Sequence, residues 1–449
     1  MFERKAMEWL REWRVKENRK PLVVRGARQV GKTSLVTAFA KEFDVFLSFN
    51  LEKPDDHALF SHEMPAKELF DLLLSVRHQR REGDILLFID EIQNSAYAVK
   101  MLRFFYEELP QVYVIAAGSL LETMLNSQLS FPVGRVEYMA LRPCTFCEFL
   151  GALGEPELRQ MVERLVVPPP LHERVTSLFN RYALVGGMPE AVASYAEHGD
   201  VVALDSIYQT LLAGYADDIE KYKKNENMRN VLRFIIGKGW LSAATRISFD
   251  GFGNSPYKSR EVGDALRTLQ KTQLLELVYP TTDIAVPFAE DLKKKPKLMW
   301  LDTGLVNYAA GVQSELFGKA DIADAWRGKT AEHIVGQELI GQSQSFLEQR
   351  HFWVREERNS QAEIDFLHLS RRFGAMPVEV KSGHNAHLKS LNLFMERSTC
   401  GCAVRFWGKA MTIDDIELPS GKRYRLYNLP YYYAGQIENL MAQIQETTR

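Results

Sequence analysis

Apolar positions along the chain recur at two spacings, and their alternation predicts an α/β protein. Phe2, Met7, Leu10 and Trp13 share one face of a helix over residues 1–17. Leu22 to Val24 is a short apolar run, as a buried strand requires. Helical spacing returns with Leu35, Val36, Ala38 and Phe39 and runs to about Phe43. Residues 45–53 alternate and are rich in β-branched and aromatic types, which predicts a strand. Residues 66–78 read as a charged helix. Residues 85–89 are five consecutive apolar positions, and 112–119 and 136–143 read as further strands.

The second half reads differently. Residues 151–172 are charged and contain Pro168 to Pro170, so they are expected to be a linker leading into a helical lid that ends near 200. Gly186 and Gly187 predict a turn, with Pro189 suited to a helix start. Leu204, Ile207, Leu211 and Leu212 keep helical spacing. Residues 230–239, 259–271 and 274–280 then read helix, helix, strand, the order of a winged helix, with Ser259 as the expected cap. Lys293 to Lys297 reads as a solvated hairpin tip. Two β-like runs within 362–383 flank a turn at 371–375, and 431–449 closes on a helix that packs through Leu440, Met441 and Ile444. The expected units are therefore 1–150, 151–200, 201–285, 286–430 and 431–449.

The chemistry starts where the first apolar run ends. Gly26, Ala27, Arg28, Gln29, Val30, Gly31, Lys32 and Thr33, followed by Ser34, form G-x-x-x-x-G-K-[ST] between a predicted strand and a predicted helix. In such a loop the glycines allow close approach and unusual backbone angles. The loop amides and helix N-terminus face a di- or triphosphate. Lys32 reaches the β- and γ-phosphates, and the Thr33 hydroxyl ligates Mg²⁺. The run at 85–89 ends on Asp90 and Glu91, a buried strand closing on two acids. Asp90 is the expected second Mg²⁺ contact and Glu91 the general base. Ser119, at the tip of the next strand, is placed between phosphate and water or else caps a loop. Arg135, beside Gly134, is a candidate γ-phosphate contact in its own or a neighbouring subunit, or a plain surface arginine.

The runs RGARQVGKTSLV, LFIDEIQ, AAGSLLE and VGRVEYMALRPCTFCEFL closely resemble the AAA-like (AAA_14) ATPase family, whose members carry a C-terminal DUF4143 region. The resemblance is strong over residues 1–150 and moderate beyond. It implies a P-loop NTPase core with a parallel five-stranded sheet, in which one strand lies between the loop strand and the acidic strand. It implies a helical or winged-helix region next, then a small α/β nuclease-like domain. It also implies ATP rather than GTP, consistent with the lack of an N/T-K-x-D guanine motif.

Near the C-terminus, Asp365 lies in one β-like run and Glu379 and Lys381 in the next, two apart and so on one face. This D…E-x-K set resembles a PD-(D/E)XK nuclease site, with Glu332 as helix glutamate and Glu338 as second choice. The proline that precedes the aspartate in the full motif is absent. The pattern leaves three readings open: an exposed salt-bridge row, a degenerate nuclease scaffold, or an active metal-dependent nuclease. On the winged helix, Lys258, Arg260, Arg267 and Lys271 are candidate DNA-phosphate contacts. Protein contact is the other use of such a module.

Bulk properties narrow the setting. The chain of 449 residues has a net charge of −2, so only local patches can recruit nucleic acid. No apolar run approaches the roughly 18 residues of a membrane span, and no signal sequence is evident. Four cysteines point to a reducing, cytoplasmic setting. Cys144, Cys147, Cys400 and Cys402 are expected to be small buried hydrophobes rather than zinc ligands. The resulting expectation is an ATP- and Mg-dependent hydrolytic switch coupled to a C-terminal effector half. DNA, a protein and a second copy of the chain are its candidate partners. The alternatives are an ATP-gated DNA nuclease and a nucleotide-binding regulator with little turnover.

Overall fold

A computed structural model describes residues 2–118, 132, 134–219, 226–312, 327–357, 360–370, 374–381 and 388–447. Strands β1 (Leu22–Arg25), β2 (Val45–Asn50), β3 (Ile85–Asp90), β4 (Tyr113–Gly118) and β5 (Glu137–Ala140) form a parallel sheet in the order β2-β3-β4-β1-β5. The strand expected between the loop strand and the acidic strand is β4. Every pairing is parallel, so all five strands end at one edge. Both Arg25, just before the phosphate loop, and Asp90 stand at that edge.

Strand alternation divides the core. Val23, Leu87, Ile89, Val114 and Ala116 point to one face, which the helices Ala66–Val76 and Ala96–Glu108 close. Leu22, Val24, Leu86, Phe88, Ile115 and Ala117 point to the other. That second face belongs to one continuous apolar core that runs on through the whole second half of the chain. The nucleotide-type sheet and the C-terminal half therefore share buried surface.

Residues 151–172 are not an extended connector. Helix Pro156–Glu163 buries Leu158 and Val162, and the Val167 amide donates to the Tyr433 hydroxyl at 2.9 Å. The apolar i, i+4 pair outweighed the charge and the prolines that favoured a linker. Farther on, helix Glu226–Lys238, β6 (Thr245–Arg246), helix Ser259–Lys271, β7 (Leu275–Val278) and β9 (Lys297–Trp300) follow in winged-helix order, with the strands arranged β6-β9-β7. Trp240 stacks on Trp300 at 3.8 Å beneath this sheet. The N-cap of the second helix is Lys258, not Ser259. Its amide is satisfied by the Glu261 carboxylate at 2.9 Å, so the glutamate supplies the capping that the serine was expected to give.

The last unit is a seven-stranded mixed sheet: β14 (Thr412–Glu417), β15 (Arg423–Pro430), β13 (Cys402–Trp407), β12 (Gly374–Val380), β11 (Ser360–Ser370), β10 (His351–Glu357) and β8 (Pro280–Thr281), in that order. Its edge strand β8 comes directly after β7, while the later β9 returns to the winged-helix sheet. The two units are thus interleaved in sequence around residue 285. No helix among the described residues is long and apolar enough to cross a membrane.

Candidate nucleotide site and a second acidic cluster

The loop after β1 meets the requirements of a phosphate cradle. Gly31 caps helix Lys32–Phe39 at φ 94°, a left-handed angle that favours glycine. Gly26 is needed for a different reason. A β-carbon there would lie 2.4 Å from the Leu141 carbonyl oxygen and 2.8 Å from Val30 Cγ2. Gln29 and Glu91 also hold positive φ, 63° and 50°, without being glycine. Such strain, of order 1–3 kcal/mol per residue, is typical of functional loops.

Lys32 is buried and donates to the carbonyls of Gly26 (3.0 Å) and Ala27 (2.9 Å). Burial pulls its ammonium down to about 8. The lysine is thus folded over the loop, in reach of whatever anion the loop holds. The Thr33 hydroxyl donates to Asp90 Oδ2 at 2.6 Å, bringing the two expected Mg²⁺ contacts together. The other Asp90 oxygen accepts the Glu91 amide at 3.0 Å. Glu91 pairs with the Gln93 amide group, and burial holds its carboxyl above the usual carboxylate range. Hard oxygens from Thr33 and Asp90, a lysine and a helix N-terminus suit a Mg-nucleoside triphosphate.

The remaining expected residues divide. Ser119 lies outside the described residues. Arg135 precedes the N-terminal end of β5, and Glu137 registers with Leu22 at the start of β1. It therefore stands at the opposite sheet edge from the loop and ion-pairs with Glu107 at 2.8 Å. A contact to the γ-phosphate of its own chain is corrected on that ground. Its spacing from the motif could not show which end of the sheet it occupies.

Residues that sequence reasoning left out hold the loop from behind. Arg4 donates to the Val30 carbonyl (3.3 Å) and the Arg142 carbonyl (2.7 Å), and pairs with Glu148 at 2.9 Å. Pro189 lies against Gly31. Arg28 ion-pairs with Asp218, and the Tyr215 hydroxyl donates to the Arg28 carbonyl at 3.2 Å. Pro189 starts helix Pro189–His198, and Tyr215 and Asp218 end helix Asp205–Asp218. The loop is clasped by the region beyond it.

The C-terminal set assembles only in part as expected. The Asp365 carboxylate accepts the Val380 amide at 2.7 Å, so β11 and β12 do bring Asp365 beside Glu379. Lys381 pairs with Glu379, and Glu332 faces the same place. Glu338 does not. Six positions further along the helix it points elsewhere, toward Phe146 and Tyr182. Burial raises Asp365 and holds Glu332 and Glu379 at about 7. The unexpected member is Lys297, only 2% exposed, paired with Glu332 and with Glu363 at 3.0 Å. The reading of Lys293 to Lys297 as a solvated tip is corrected at Lys297, which opens β9. No group of three or more His, Cys, Asp and Glu side chains among the described residues has an arrangement that would hold a metal ion. Cys144, Cys147, Cys400 and Cys402 are free thiols, all buried.

On the winged helix, Lys258, Arg260, Arg267 and Lys271 are exposed. Asp264 lies between them and pairs with Arg267 at 2.8 Å and Arg260 at 3.9 Å, which offsets one of the four positive charges.

The loop, its sheet order and the acidic strand agree with one family match: residues 18–150 match the model described as an AAA domain. Residues 327–421 match the domain of unknown function DUF4143. The chain joins an AAA domain to a DUF4143 region. Between these two, residues 176–316 match a further domain of unknown function, DUF8612. The parallel five-stranded sheet around the loop is that of a P-loop domain. No curated protein matches the chain. Among solved structures, the Walker-type ATPase PABY2304 of Pyrococcus abyssi is similar at 16% identity and TM-score 0.45, over 69% of this chain and 96% of that one. The Aeropyrum pernix ORC1 protein in complex with DNA is similar at 14% identity and TM-score 0.29, over 70% and 93%. The Thermotoga maritima RuvB Holliday junction branch migration motor is similar at 13% identity and TM-score 0.27, over 65% and 93%.

Proposed function

We propose that the chain is a Mg-dependent ATPase that acts as a switch, reporting its nucleotide state to the helical and C-terminal half. The observation that carries the reading is the Thr33–Asp90 contact beside Lys32. The two halves of a triphosphate and Mg²⁺ site, far apart in sequence, meet at one sheet edge. In this reading Lys32 leaves the Gly26 and Ala27 carbonyls for the β- and γ-phosphates. Thr33 and Asp90 would hold Mg²⁺, which would neutralise charge developing on the leaving ADP. Glu91 takes the proton of the attacking water, for which a carboxyl raised by burial is well suited. A phosphate contact from Arg135 would be to a neighbouring copy, since its own loop is at the far edge.

The switch element of the proposal rests on the clasp. Arg28 sits inside the phosphate loop and pairs with Asp218 of the next region. A change in loop position on binding or hydrolysis would load or release that pair. The gated-nuclease alternative is disfavoured, because Lys297 fills the acidic cluster where a cation would act. DNA and protein remain the two candidate effectors.

The test is ATP turnover in wild type, Lys32→Ala and Glu91→Gln, each with and without single- and double-stranded DNA. Turnover in wild type alone supports the ATPase reading, and stimulation by DNA would name the effector. Turnover that Glu91→Gln leaves unchanged would refute the assigned base. Absence of turnover in wild type, with and without DNA, would refute hydrolysis.

A further inference from the structure

A cavity of about 410 Å³ lies where the AAA domain, the winged helix and the DUF4143 region meet. That volume is within the range of small-molecule sites, which favour such junctions. Arg142 comes from the AAA domain, Arg267 and Lys271 from helix Ser259–Lys271, and Arg350 from the residue before β10. Between these cations Ile340, Phe346 and Leu347 give the wall an apolar side, and Leu347 is 73% exposed.

The four cations are not equally matched. Arg350 meets Glu276 through Nε at 2.9 Å and Nη2 at 2.7 Å, and Arg267 pairs with Asp264 at 2.8 Å. Arg142 and Lys271 have no carboxylate partner among the described residues. Arg142 donates instead to the carbonyls of Ser343 (2.6 Å) and Ser345 (3.0 Å), which leaves the rest of its N–H fork open. Burial pulls its guanidinium down to about 10 despite the field of Glu276 and Glu348. Glu348 is the lining carboxylate left over, and it is exposed. A guanidinium removed from water beside apolar walls suits an anion that carries an apolar body.

The same walls reach the phosphate loop. Leu141, also lining the cavity, donates its amide to the Arg25 carbonyl at 2.7 Å. The Phe346 ring centre lies 4.5 Å from the Arg25 guanidinium, one residue before Gly26. Arg4 bridges the Arg142 carbonyl (2.7 Å) and the Val30 carbonyl (3.3 Å). A displacement of Arg142 or Phe346 is thus felt at both ends of the loop.

We propose that this cavity is a regulatory site for a small organic anion with an apolar body, held by Arg142 and Lys271, whose occupancy is transmitted to the phosphate loop through Leu141, Arg142 and Phe346. The anion site stands on the cavity alone. The link to the loop rests on the nucleotide-binding reading.

The probe is 8-anilinonaphthalene-1-sulfonate, titrated by fluorescence into the full chain without nucleotide. N-phenyl-1-naphthylamine, the same body without the sulfonate, should bind at least about ten-fold more weakly, and equal binding would overturn the proposal. Arg142→Met should weaken dye binding about ten-fold and Lys271→Glu about three-fold or more. Lys271 is exposed, so its variant keeps the test valid should Arg142→Met not fold. Binding unchanged in Lys271→Glu would overturn the site. Displacement of the dye by phenyl phosphate or by benzoate supports it and shows which head group is preferred; displacement by neither overturns it. Calorimetry of Mg-ADP with and without saturating dye then reads the link, with an expected change in affinity of at least about five-fold. Equal affinity would overturn the link. Failure of Mg-ADP to bind at all would sink the nucleotide reading and the link with it, while the dye titrations still decide the anion site.

Discussion

Replacing Glu338 by glutamine should reverse its effect on stability between pH 4 and pH 8. Glu338 is 1% exposed and sits where the AAA domain, the segment after it and the DUF4143 region meet. Its Oε1 accepts the Phe146 amide at 2.9 Å and stands 2.7 Å from the Tyr182 hydroxyl. Tyr182 is also 2.7 Å from the Cys144 carbonyl. One hydroxyl proton cannot serve both acceptors, whereas a proton on Glu338 completes the set. Burial agrees, since it pushes this carboxyl from 4.5 up to about 7.

The sign follows from proton counting. Between pH 4.5 and about 7 the folded chain keeps a proton that the unfolded chain has lost, so stability falls as pH rises through that window. Over the full window the loss is about 3 kcal/mol. Glutamine carries no charge but forfeits one hydrogen bond, about 1 kcal/mol. Glu338→Gln should then be less stable than wild type by about 1 kcal/mol at pH 4, nearly equal to it at pH 5, and more stable by about 2 kcal/mol at pH 8. Melting temperatures of both proteins across that range measure the crossing. Parallel curves with no crossing would mean that Glu338 is ionised in the fold, and the reasoning would fail.

Three further outcomes follow from the loop and its clasp. Gly26→Ala should weaken nucleotide binding by at least about ten-fold and cost about 1–3 kcal/mol, read by calorimetry and melting, because the new methyl meets the Leu141 carbonyl. Glu91→Gln should lower the turnover number by about 10²-fold or more while ATP still binds, read by steady-state hydrolysis against equilibrium binding. Arg135→Ala should leave turnover within about two-fold of wild type in a monomeric sample, since this arginine is at the far sheet edge. A larger loss confined to higher oligomers would assign it to a neighbouring subunit's site.

The phosphate loop and the acidic strand were legible because both are local. A glycine pattern between apolar runs and a strand ending on two acids are set by backbone and solvation, which sequence spacing reports. The interposed β4 followed from family resemblance rather than from spacing. What escaped depended on chain packing. Arg135 is close in sequence to residues that line the loop, yet parallel pairing carries it to the other edge. Lys297 ends a run of lysines that reads as solvated, and only the return of β9 between β6 and β7 buries it. Charge in residues 151–172 masked an apolar pair, Leu158 and Val162. Glu332 and Glu338 were both plausible in the helix, and its 100° step per residue decided between them. Arg4, Tyr215 and Asp218 carry no motif, so no local signal marks them as partners of the loop.

The coupling of loop to lid is best tested by hydrogen exchange of the Glu91→Gln chain with Mg-ATP, with Mg-ADP and without nucleotide. Helix Asp205–Asp218, which ends on the Arg28 partner, should change protection between the ATP and ADP states, together with helix Pro189–His198. Changes confined to residues 18–150, with both helices indifferent to nucleotide, would contradict a switch that speaks to the rest of the chain.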